Sequence, residues 1–343
     1  MLSSGKWVDE FDEKFARYIG VKDGCSTSSG TTALHLALAA TGISPGDKVL
    51  TTAMTFIATA NSILYCGGIP VFADIDPVTF NISPYSVKQV LEQDPEIKYL
   101  LVVHLFGLSC DMAPLMKICK EHGVTLIEDC AQAHGALYHG RKVGTFGKAA
   151  IFSFYPTKNM TTGEGGMIIS DDPEIIRHVK ILRDHGMDDD GQFVTLGYNF
   201  RLTNIEAAIG ICQLERLDEF NRARRKNAAY YNEYLGDLPF LELPVEPEGY
   251  KHVYHQYTVR LKVPRPPFLE YLRANNIGYK IYYPLPVHKQ VLYRNLGYGD
   301  CHYPEAENAA EEVVSIPVHP AISERDRERI VECIRQYRPG GLV

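Results

Sequence analysis

The sequence has no long apolar run and no excess of positive charge. Its longest apolar stretches, such as residues 99–108 (YLLVVHLFGL), are too short to span a lipid bilayer and contain a histidine. Residues 1–15 have no apolar core of the signal-peptide type. A net charge of −7 and a pI of about 6.0 argue against a surface that binds nucleic acid. We therefore expect a cytoplasmic protein with neither a membrane nor a nucleic-acid partner.

The spacing CxxC is also missing, although the sequence contains eight cysteines. Most of them lie in apolar segments, which predicts buried thiols in a reducing compartment and no structural metal site. The sequence shows no internal repeat and no low-complexity segment. Its 343 residues, 45% hydrophobic and 22% charged, predict a well-folded chain of two domains. We expect a large domain over residues 1–224 and a small domain over residues 225–343.

A regular alternation of helical and strand patterns occupies residues 29–130. The helical patterns tend to end in glycine, and the strand patterns are continuous apolar blocks. Both features predict a buried, mostly parallel sheet, with a ligand site beyond the carboxyl ends of its strands. The predicted helices are 29–42, 55–67, 86–93 and 112–123, and the predicted strands are 48–54, 69–75, 98–106 and 125–130.

The pattern changes in the second half of the sequence. A long helical pattern runs from residue 202 to about residue 235, apolar at first and then charged. Two strand-like runs, residues 253–263 and 277–287, then flank another helical pattern. We expect this part of the chain to form a smaller α+β domain.

Several polar residues follow predicted strands or open a predicted helix. Asp129 ends one strand, Ser153 lies in the next, and Lys158 follows it in a loop with three glycines. Gly30 and Thr31 open a helix whose free N–H groups suit a phosphate. A phosphate site, a carboxylate for a ring nitrogen and an amine for a Schiff base are what pyridoxal 5′-phosphate (PLP) requires.

Each of these features also has an ordinary structural explanation when taken singly. A lone lysine in a loop is usually solvated, and an SSGTT segment usually just caps an amphipathic helix. An aspartate that closes a strand is commonly a turn residue, and TGEGG suits a plain flexible turn. The order of phosphate site, carboxylate and amine along one edge of one sheet favours the PLP interpretation.

The sequence contains, in this order, the motifs SSGTTALHLAL (28–38), TFIATANSILYCGGIPVFADID (55–76), LIEDCAQAHGA (126–136), FSFYPTKNMTTGEGG (152–166), GYNFRLTNIEAAIG (197–210) and YYPLPVHKQ (282–290). Together they resemble the DegT/DnrJ/EryC1/StrS family of sugar aminotransferases, over nearly the whole chain. The resemblance implies a fold-type-I PLP enzyme, with an α/β large domain around a mostly parallel sheet and a smaller C-terminal α+β domain. Family members often carry an additional N-terminal segment ahead of the first motif.

The resemblance implies roles for individual residues. Lys158 matches the lysine that binds the cofactor as an imine, and Asp129 matches the acid that pairs with the pyridine nitrogen. Gln132 matches a group near the cofactor O3′. Phe56, which is Trp in some members, matches the aromatic residue that stacks on the ring. The matches to phosphate ligands are Gly30, Thr31, Ser153 and, from the other subunit of a homodimer with shared active sites, Asn199.

The loop after Ser153 is expected to be mobile. Once an amino acid has displaced it from the cofactor, the amine of Lys158 is expected to move a proton between the substrate Cα and the cofactor C4′. Gly163, Gly165 and Gly166 are expected to let the loop pass close to the cofactor without a Cβ in the way.

The implied reaction moves an amino group from an amino acid, glutamate in most of the family, to a keto sugar linked to a nucleotide diphosphate. Candidate substrate contacts are Tyr283, His288, Lys289 and His319, although a surface position on a proline-rich turn explains each of them equally well. Arg201 either meets a donor carboxylate or braces the helix that follows it, and we favour the brace.

Two alternative functions on the same fold remain open. PLP-dependent sugar dehydratases resemble this sequence but have histidine at the position of Lys158, so the lysine favours transamination. A non-catalytic regulatory protein is expected to have lost Lys158 or Asp129, and both residues are present.

Overall fold

The computed structural model of the protein describes residues 2–340. Helices and strands alternate through its first half as the sequence patterns predict, and a further helix precedes them. The helices are α1 (Lys6–Ile19), α2 (Gly30–Ala40), α3 (Ile57–Tyr65), α4 (Pro84–Gln93), α5 (Met112–His122), α6 (Pro173–Arg183), α7 (Asn204–Leu235), α8 (Arg265–Ala274), α9 (Val291–Tyr293), α10 (Pro304–Glu312) and α11 (Glu324–Gln336). The strands are β1 (Asp23–Thr27), β2 (Lys48–Thr52), β3 (Ile69–Ala73), β4 (Tyr99–Val103), β5 (Thr125–Asp129), β6 (Leu137–Tyr138), β7 (Arg141–Lys142), β8 (Ala149–Ser153), β9 (Gly166–Ser170), β10 (Leu241–Glu242), β11 (Tyr250–Lys251), β12 (Tyr257–Leu261) and β13 (Val313–Ile316).

A seven-stranded sheet forms the centre of the fold, in the order β3-β2-β4-β5-β8-β9-β1. Strands β3, β2, β4, β5 and β8 pair in parallel, and β9 runs antiparallel to both β8 and β1. The sheet is therefore mostly parallel, which confirms the predicted fold class. Asp129 pairs with Val103 on β4 and with Ile151 on β8, while Ser153 pairs with Gly166 on β9. The carboxyl ends of β5 and β8 consequently meet at one edge of the sheet.

Helices cover both faces of the central sheet, as the apolar character of its strands requires. Every residue of β8 and β9 is buried. On one face, the ring centroid of Phe15 lies 4.9 Å from that of Phe152, and that of Phe11 lies 5.1 Å from that of Phe154. Helix α1, which carries these two residues, was not predicted, although its buried positions follow helical spacing.

Helix α7 connects the central sheet to the second half of the chain. It begins with a capping box, in which Glu206 N–H donates to Thr203 Oγ1 at 3.2 Å and Thr203 N–H donates to Glu206 Oε2 at 2.9 Å. Its 32 residues continue without a break through the position of the predicted domain boundary, 224/225. Near its end, Tyr231 and Leu235 join the core beneath the small sheet β10-β12-β13.

The predicted α+β pattern of the C-terminal part is found only in part. Helix α8 forms as predicted, and β12 lies within the predicted strand 253–263 and pairs with β10 and β13. The strand predicted over residues 277–287 was wrong. Within the described chain, this segment forms an isolated β-bridge between Lys280 and Ser315 and no strand.

Two prolines explain why the apolar run after Lys280 does not extend as a strand. Pro284 and Pro286 have no N–H group to donate to a ladder. Beyond them the chain returns to the central sheet, where Val287 N–H donates to the Ala53 carbonyl oxygen at 2.8 Å. The segment 280–287 therefore lies between the small sheet β10-β12-β13 and the central sheet.

None of the helices found in residues 2–340 combines the length and the apolar character that crossing a membrane requires. The cysteines are free thiols, and Cys212 is the exposed one among them. The buried cysteines are Cys25, Cys110, Cys119, Cys130 and Cys333.

Candidate active site

A cavity of about 1030 Å³ opens at the edge of the sheet where the carboxyl ends of β5 and β8 meet. Turns after β1, β2 and β8 line one side of it, and residues 255–256 and 279–284 line the other. The structure brings most of the predicted site residues to its wall. They are Gly30, Thr31, Phe56, Asp129, Gln132, Ser153, Lys158 and Tyr283.

The N-terminus of α2 forms one end of this cavity. Ser29 caps the helix, since its Oγ accepts a hydrogen bond from Thr32 N–H at 3.1 Å. The first N–H groups of a helix have no partner inside it and lie at the positive end of its dipole. An added Cβ on Gly30 would stand 2.6 Å from Ser153 Cβ, so glycine is required where the helix approaches β8. The N-terminus of α2 and Ser153 thus form a site suited to a phosphate.

One of the glycines after Lys158, Gly166, has a packing role that the sequence did not indicate. An added Cβ on Gly166 would stand 2.6 Å from the carbonyl carbon of Ser29 and 2.9 Å from the nitrogen of Gly30. Gly163, in contrast, has a φ of +91° and open space around its Cβ position. Gly166 therefore makes room for the turn ahead of α2, and the expectation that the three glycines clear a path along the cofactor stays a prediction.

Asp129 faces the cavity from the end of β5. Its Oδ2 accepts a hydrogen bond from Thr59 Oγ1 at 2.8 Å, and its Oδ1 accepts one from Ala131 N–H at 3.0 Å. Burial raises the pKa of this carboxyl above its usual value, although both hydrogen bonds and the charge of Lys158 act in the opposite direction. A protonated ring nitrogen beside Asp129 would lower the same pKa, so each charge stabilises the other.

The neighbouring carboxylate, Glu128, is buried on the opposite face of β5. Its oxygens accept hydrogen bonds from three N–H groups of the turn 144–147, at 2.6–2.7 Å. Cys110 N–H donates to His104 Nδ1 at 3.0 Å, so the imidazole proton is on Nε2, which lies 3.0 Å from Glu128 Oε2. Glu128 therefore anchors the turn that leads into β8.

Lys158 lies half-buried in the cavity wall, after the end of β8. Its Nζ makes no hydrogen bond or ion pair with any other group in residues 2–340. Burial lowers the pKa of this amine from 10.5 to about 8, against the opposing effect of Asp129. A neutral amine is the form that acts as a nucleophile or a base, and Lys158 reaches this form close to neutral pH.

Hydrogen bonds hold the backbone and the neighbouring side chain at the position of Lys158. Lys158 N–H donates to the Tyr155 carbonyl oxygen at 2.9 Å. The side chain of the next residue, Asn159, donates to Asn221 Oδ1 on α7 at 2.8 Å. The four-carbon side chain gives the amine freedom of its own, and the mobile loop expected from the sequence stays a prediction.

Gln132, Tyr283 and Phe56 form a connected group on the cavity wall. Gln132 Oε1 accepts from Phe106 N–H at 2.8 Å, and Gln132 Nε2 donates to Tyr283 Oη at 3.0 Å. Burial raises the pKa of Tyr283, which keeps it a neutral phenol. The ring centroid of Phe56 lies 6.2 Å from that of Tyr283, and 54% of Phe56 is exposed. An exposed aromatic face at a cavity suits stacking against a flat ring.

Three predicted substrate contacts do not line this cavity in the described chain. His288 is buried, with its Nε2 2.9 Å from Glu307 Oε1. Lys289 Nζ donates to the carbonyl oxygens of Gly299 and Cys301, at 3.2 and 3.0 Å. The third contact, His319, is exposed. The first two side chains are thus bound to partners within residues 299–307 and point away from the cavity.

Asn199 and Arg201 also lie away from the cavity wall of their own chain. Asn199 is exposed and forms an isolated β-bridge with Asp184. Arg201 forms an ion pair with the same Asp184, just after α6. This pairing favours the bracing role of Arg201, which ties the segment before α7 to the end of α6.

Residues 255–256 and 279–282 line the cavity but were not predicted as site residues. Both lie in segments whose sequence pattern is typical of strands. The sequence therefore does not indicate that His255, Gln256 and Lys280 line the cavity, because an apolar strand pattern does not show which of its polar residues faces a ligand.

The groups around the cavity fit PLP residue by residue. The N-terminus of α2 and Ser153 suit its phosphate, Asp129 its ring nitrogen, and Phe56 the face of its ring. The unpaired amine of Lys158 suits its aldehyde. The fold and the site together define the class of PLP-dependent aminotransferases.

The chain belongs to the DegT/DnrJ/EryC1/StrS aminotransferase family, whose model matches residues 1–335. A pleiotropic regulatory protein of Geobacillus stearothermophilus is 42% identical over 338 residues, which cover 97% of this chain and 90% of that protein. The GDP-perosamine synthase of Caulobacter vibrioides is 39% identical over 346 residues, covering 97% and 91%. The UDP-N-acetyl-3-dehydro-alpha-D-glucosamine 3-aminotransferase of Acidithiobacillus ferrooxidans is 41% identical over 322 residues, covering 94% and 86%.

Solved structures show the same relationship. DesV of S. venezuelae, solved in complex with a ketimine intermediate, matches with a TM-score of 0.94 and 34% identity, covering 98% of this chain and 90% of that chain. These similarities confirm the predicted family and the predicted aminotransferase class.

Proposed function

We propose that this protein transfers an amino group from an amino acid, L-glutamate in the first instance, to a keto sugar linked to a nucleotide diphosphate, with PLP as cofactor. One observation carries the proposal: the unpaired amine of Lys158 shares a large cavity with the buried carboxylate of Asp129 and the N-terminus of α2. The named activities of two relatives, which act on a GDP-linked and a UDP-linked sugar by their names, support the substrate class.

The residues of the cavity have separate tasks in this reaction. PLP, when bound, supplies an electron sink for the electron pair released at the substrate carbon. Asp129 holds a proton on the ring nitrogen, and the N-terminus of α2 with Ser153 fixes the phosphate. The free amine of Lys158 would take a proton from the substrate carbon and return it on the other side of the C–N bond.

The shape of the cavity supports a large second substrate. Its volume of about 1030 Å³ is at the upper end of the range typical of ligand sites. Exposed Tyr155 lies in its wall, and a flat aromatic face suits the apolar side of a sugar ring or a base. Lys280 lies at the same wall and offers a cation to a diphosphate.

The experiment that tests this function uses purified protein loaded with PLP. L-Glutamate alone should bleach the yellow cofactor absorbance, because the amino group moves to the cofactor. A panel of 3-keto and 4-keto sugars linked to GDP, UDP and dTDP should then restore it, with one 2-oxoglutarate released per amino sugar. A Lys158→Ala protein serves as the blank. Failure of L-glutamate to bleach the cofactor, or failure of every keto sugar in this panel to restore it, would contradict the proposal.

We also propose that the active unit is a homodimer whose sites are completed across the interface. Asn199, the predicted phosphate contact, lies outside the cavity of its own chain, which suits a role in the neighbouring site. Close to it in the chain, Phe193, Val194 and Leu196 are 72%, 56% and 82% exposed, and an apolar surface of this kind is typical of an interface. A cytoplasmic location suits a chain whose cysteines are free.

A regulatory protein is the second candidate, because the relative from Geobacillus stearothermophilus carries that description. The retained Lys158 and Asp129, both placed at the cavity, favour an enzyme. The glutamate bleaching experiment separates the two, since a purely regulatory protein has no reason to convert the bound cofactor.

A further inference from the structure

Lys280 lies at the open side of the cavity, and its backbone is held by the small sheet. Its N–H donates to the Ser315 carbonyl oxygen at 3.0 Å, and Ser315 N–H donates to the Lys280 carbonyl oxygen at 2.8 Å. Ser315 is itself buried in β13, whereas Lys280 is exposed and lines the cavity. A fixed backbone with a flexible four-carbon side chain lets the ammonium group follow anions of different sizes.

The ammonium group of Lys280 has no partner within the described protein. Its Nζ makes no hydrogen bond or ion pair with any group in residues 2–340. Glu164, an exposed acid that lines the same cavity, does not pair with it there. An unpaired lysine on an open surface is merely solvated, but one that lines a ligand cavity offers its charge to an anionic ligand.

Lys280 is the cation that the described cavity wall offers to a substrate. The amine of Lys158 serves the cofactor and the proton transfer, and it does so as a neutral group. His255 also lines the cavity, but burial holds its pKa well below the usual value, so its ring is neutral. No arginine lines the cavity in residues 2–340.

The two substrates of the proposed reaction each carry an anion at the end away from the reacting carbon. The reacting carbon must reach Lys158 beside Asp129, which is 4% exposed and therefore lies at the floor of the cavity. The side-chain carboxylate of glutamate and the diphosphate of a nucleotide sugar both lie a few bonds from that carbon. Since the substrates use the cavity in turn, both anions extend from the floor toward the exposed wall that carries Lys280.

We propose that Lys280 binds the distal anion of both substrates in turn, first the side-chain carboxylate of the amino-acid donor and then the diphosphate of the nucleotide sugar. This inference rests on the proposed function, which brings both molecules to Lys158. One shared cation makes the cavity select an acidic donor over a neutral one, because specificity is the difference between two binding free energies. It also makes one residue responsible for recognition in both half-reactions.

The test removes the charge from the residue and from the substrate separately. L-Glutamine has the shape of L-glutamate but a neutral side chain, so it probes the distal carboxylate while keeping the α-carboxylate. Lys280→Gln removes the charge of the residue, and Lys280→Arg keeps it. Lys226→Gln is the matched control, because Lys226 is an exposed lysine of α7 that has no partner in the described chain and does not line the cavity.

The first measurement is the rate of bleaching of the PLP-loaded protein by each amino acid. The wild type should prefer glutamate over glutamine at least about tenfold, as expected for a hydrogen bond between charged groups. In Lys280→Gln the rate constant for glutamate should fall about tenfold, while that for glutamine should stay within about threefold of the wild type. Lys280→Arg and Lys226→Gln should keep the preference of the wild type.

The second measurement is calorimetric titration of the PLP-loaded protein with inorganic pyrophosphate, which requires no turnover. The Kd should rise about tenfold in Lys280→Gln and stay within about threefold of the wild type in Lys280→Arg and Lys226→Gln. Melting temperature and PLP affinity should be equal in all variants, because the exposed side chain contributes no contact to the fold.

Three outcomes would overturn the inference. One is an equal fall for glutamate and glutamine in Lys280→Gln, which would make the role structural. Another is weaker pyrophosphate binding with the glutamate preference intact, which would restrict Lys280 to one substrate. The third is the same loss in Lys226→Gln, which would reduce the effect to net charge.

If Lys280→Gln does not fold, the wild type decides. Raising the ionic strength to about 0.5 M must then lower both the glutamate preference and the pyrophosphate affinity, because salt screens an exposed ion pair. Salt-independent values would overturn the inference. Bleaching by glutamate and glutamine at equal rates would also overturn it but leave transamination intact, whereas no bleaching by glutamate at all would contradict the proposed function itself.

Discussion

Gly166 and Ser29 approach so closely that a Cβ on Gly166 would stand 2.6 Å from the Ser29 carbonyl carbon. At this point β9 and β1 are paired, Gly166 with Thr27, so neither backbone can move aside without disturbing the sheet. The same turn leads into α2, whose N-terminus forms the phosphate site. The position of that site thus depends on the absence of a side chain at Gly166 of β9, a strand that is distant in sequence but pairs directly with β1 in the sheet.

Gly166→Ala should therefore weaken both the fold and the binding of PLP. Backbone overpacking of this kind costs about 1–3 kcal/mol or more of unfolding free energy, and a displaced α2 loses its phosphate contacts. Denaturant unfolding and a PLP titration measure the two effects. Gly163→Ala is the control from the same loop: its positive φ costs about 1 kcal/mol, but its open surroundings leave PLP affinity unchanged. Equal PLP affinity in both variants would refute the crowding argument.

Lys158→Ala and Lys158→Arg should both abolish transamination and leave the fold intact. Arginine keeps a positive charge but forms no imine and stays protonated, so it replaces neither function of the amine. Steady-state turnover and the melting temperature measure activity and folding. Turnover near that of the wild type in either variant would remove Lys158 from the mechanism.

Asp129→Asn should still bind PLP, because the phosphate site is untouched, but it should lose about 10²-fold or more in rate. A neutral amide cannot hold the proton on the ring nitrogen, although it retains an oxygen that accepts from Ala131 N–H. Single-turnover rates with glutamate measure the loss. A decrease smaller than tenfold would point to another partner for the ring nitrogen.

The pH dependence of cofactor attachment should report the lowered pKa of Lys158. Its amine must be neutral to attack the PLP aldehyde, so the rate of reconstitution of the apoenzyme should rise with pH around a midpoint of about 8. Because the charge of Asp129 raises this pKa, Asp129→Asn should move the midpoint to lower pH. A midpoint near 10.5, or a shift in the other direction, would contradict the environment described for Lys158.

A mixture of two inactive variants should recover activity if the sites are shared between subunits. Asn199→Asp places a carboxylate beside the cofactor phosphate of the neighbouring site, and Lys158→Ala removes the amine of its own site. In a mixed dimer one site carries both defects and the other carries neither. Activity of the mixture after verified subunit exchange is the measurement. A persistently inactive mixture, or an active monomer in sedimentation, would contradict the shared site.

The sequence predicts those features of this molecule that follow from local patterns. Apolar blocks predict the parallel strands, and the order of Gly30, Asp129, Ser153 and Lys158 predicts that these residues share one edge of the sheet. The bounds of α7 follow from its capping box and its apolar face. These signals are strong because each depends on neighbouring residues along the chain.

Other features depend on contacts between segments that are distant in sequence, and the sequence alone does not indicate them. The run 277–287 has strand-like composition, but its prolines and its contact with Ala53 decide its path. Gly166 belongs to a glycine-rich loop in the sequence, whereas its crowding by Ser29 appears only when the two strands pair. His255 faces the cavity because Arg224 and Phe106 hold its backbone, and both lie far away in the chain.

The two adjacent carboxylates of β5 help to fix the register of this strand, because each has its own surroundings on one face of the sheet. Glu128 reaches three N–H groups and His104 on one face, while Asp129 faces the cavity on the other. A slip of β5 by one position would exchange the two faces, leave the N–H groups of the 144–147 turn without their acceptor, and bury a longer acid where a ring nitrogen should sit. A misaligned strand would thus be destabilised on both faces of the sheet, and the acid that it turned toward the cavity would be one methylene longer than Asp129.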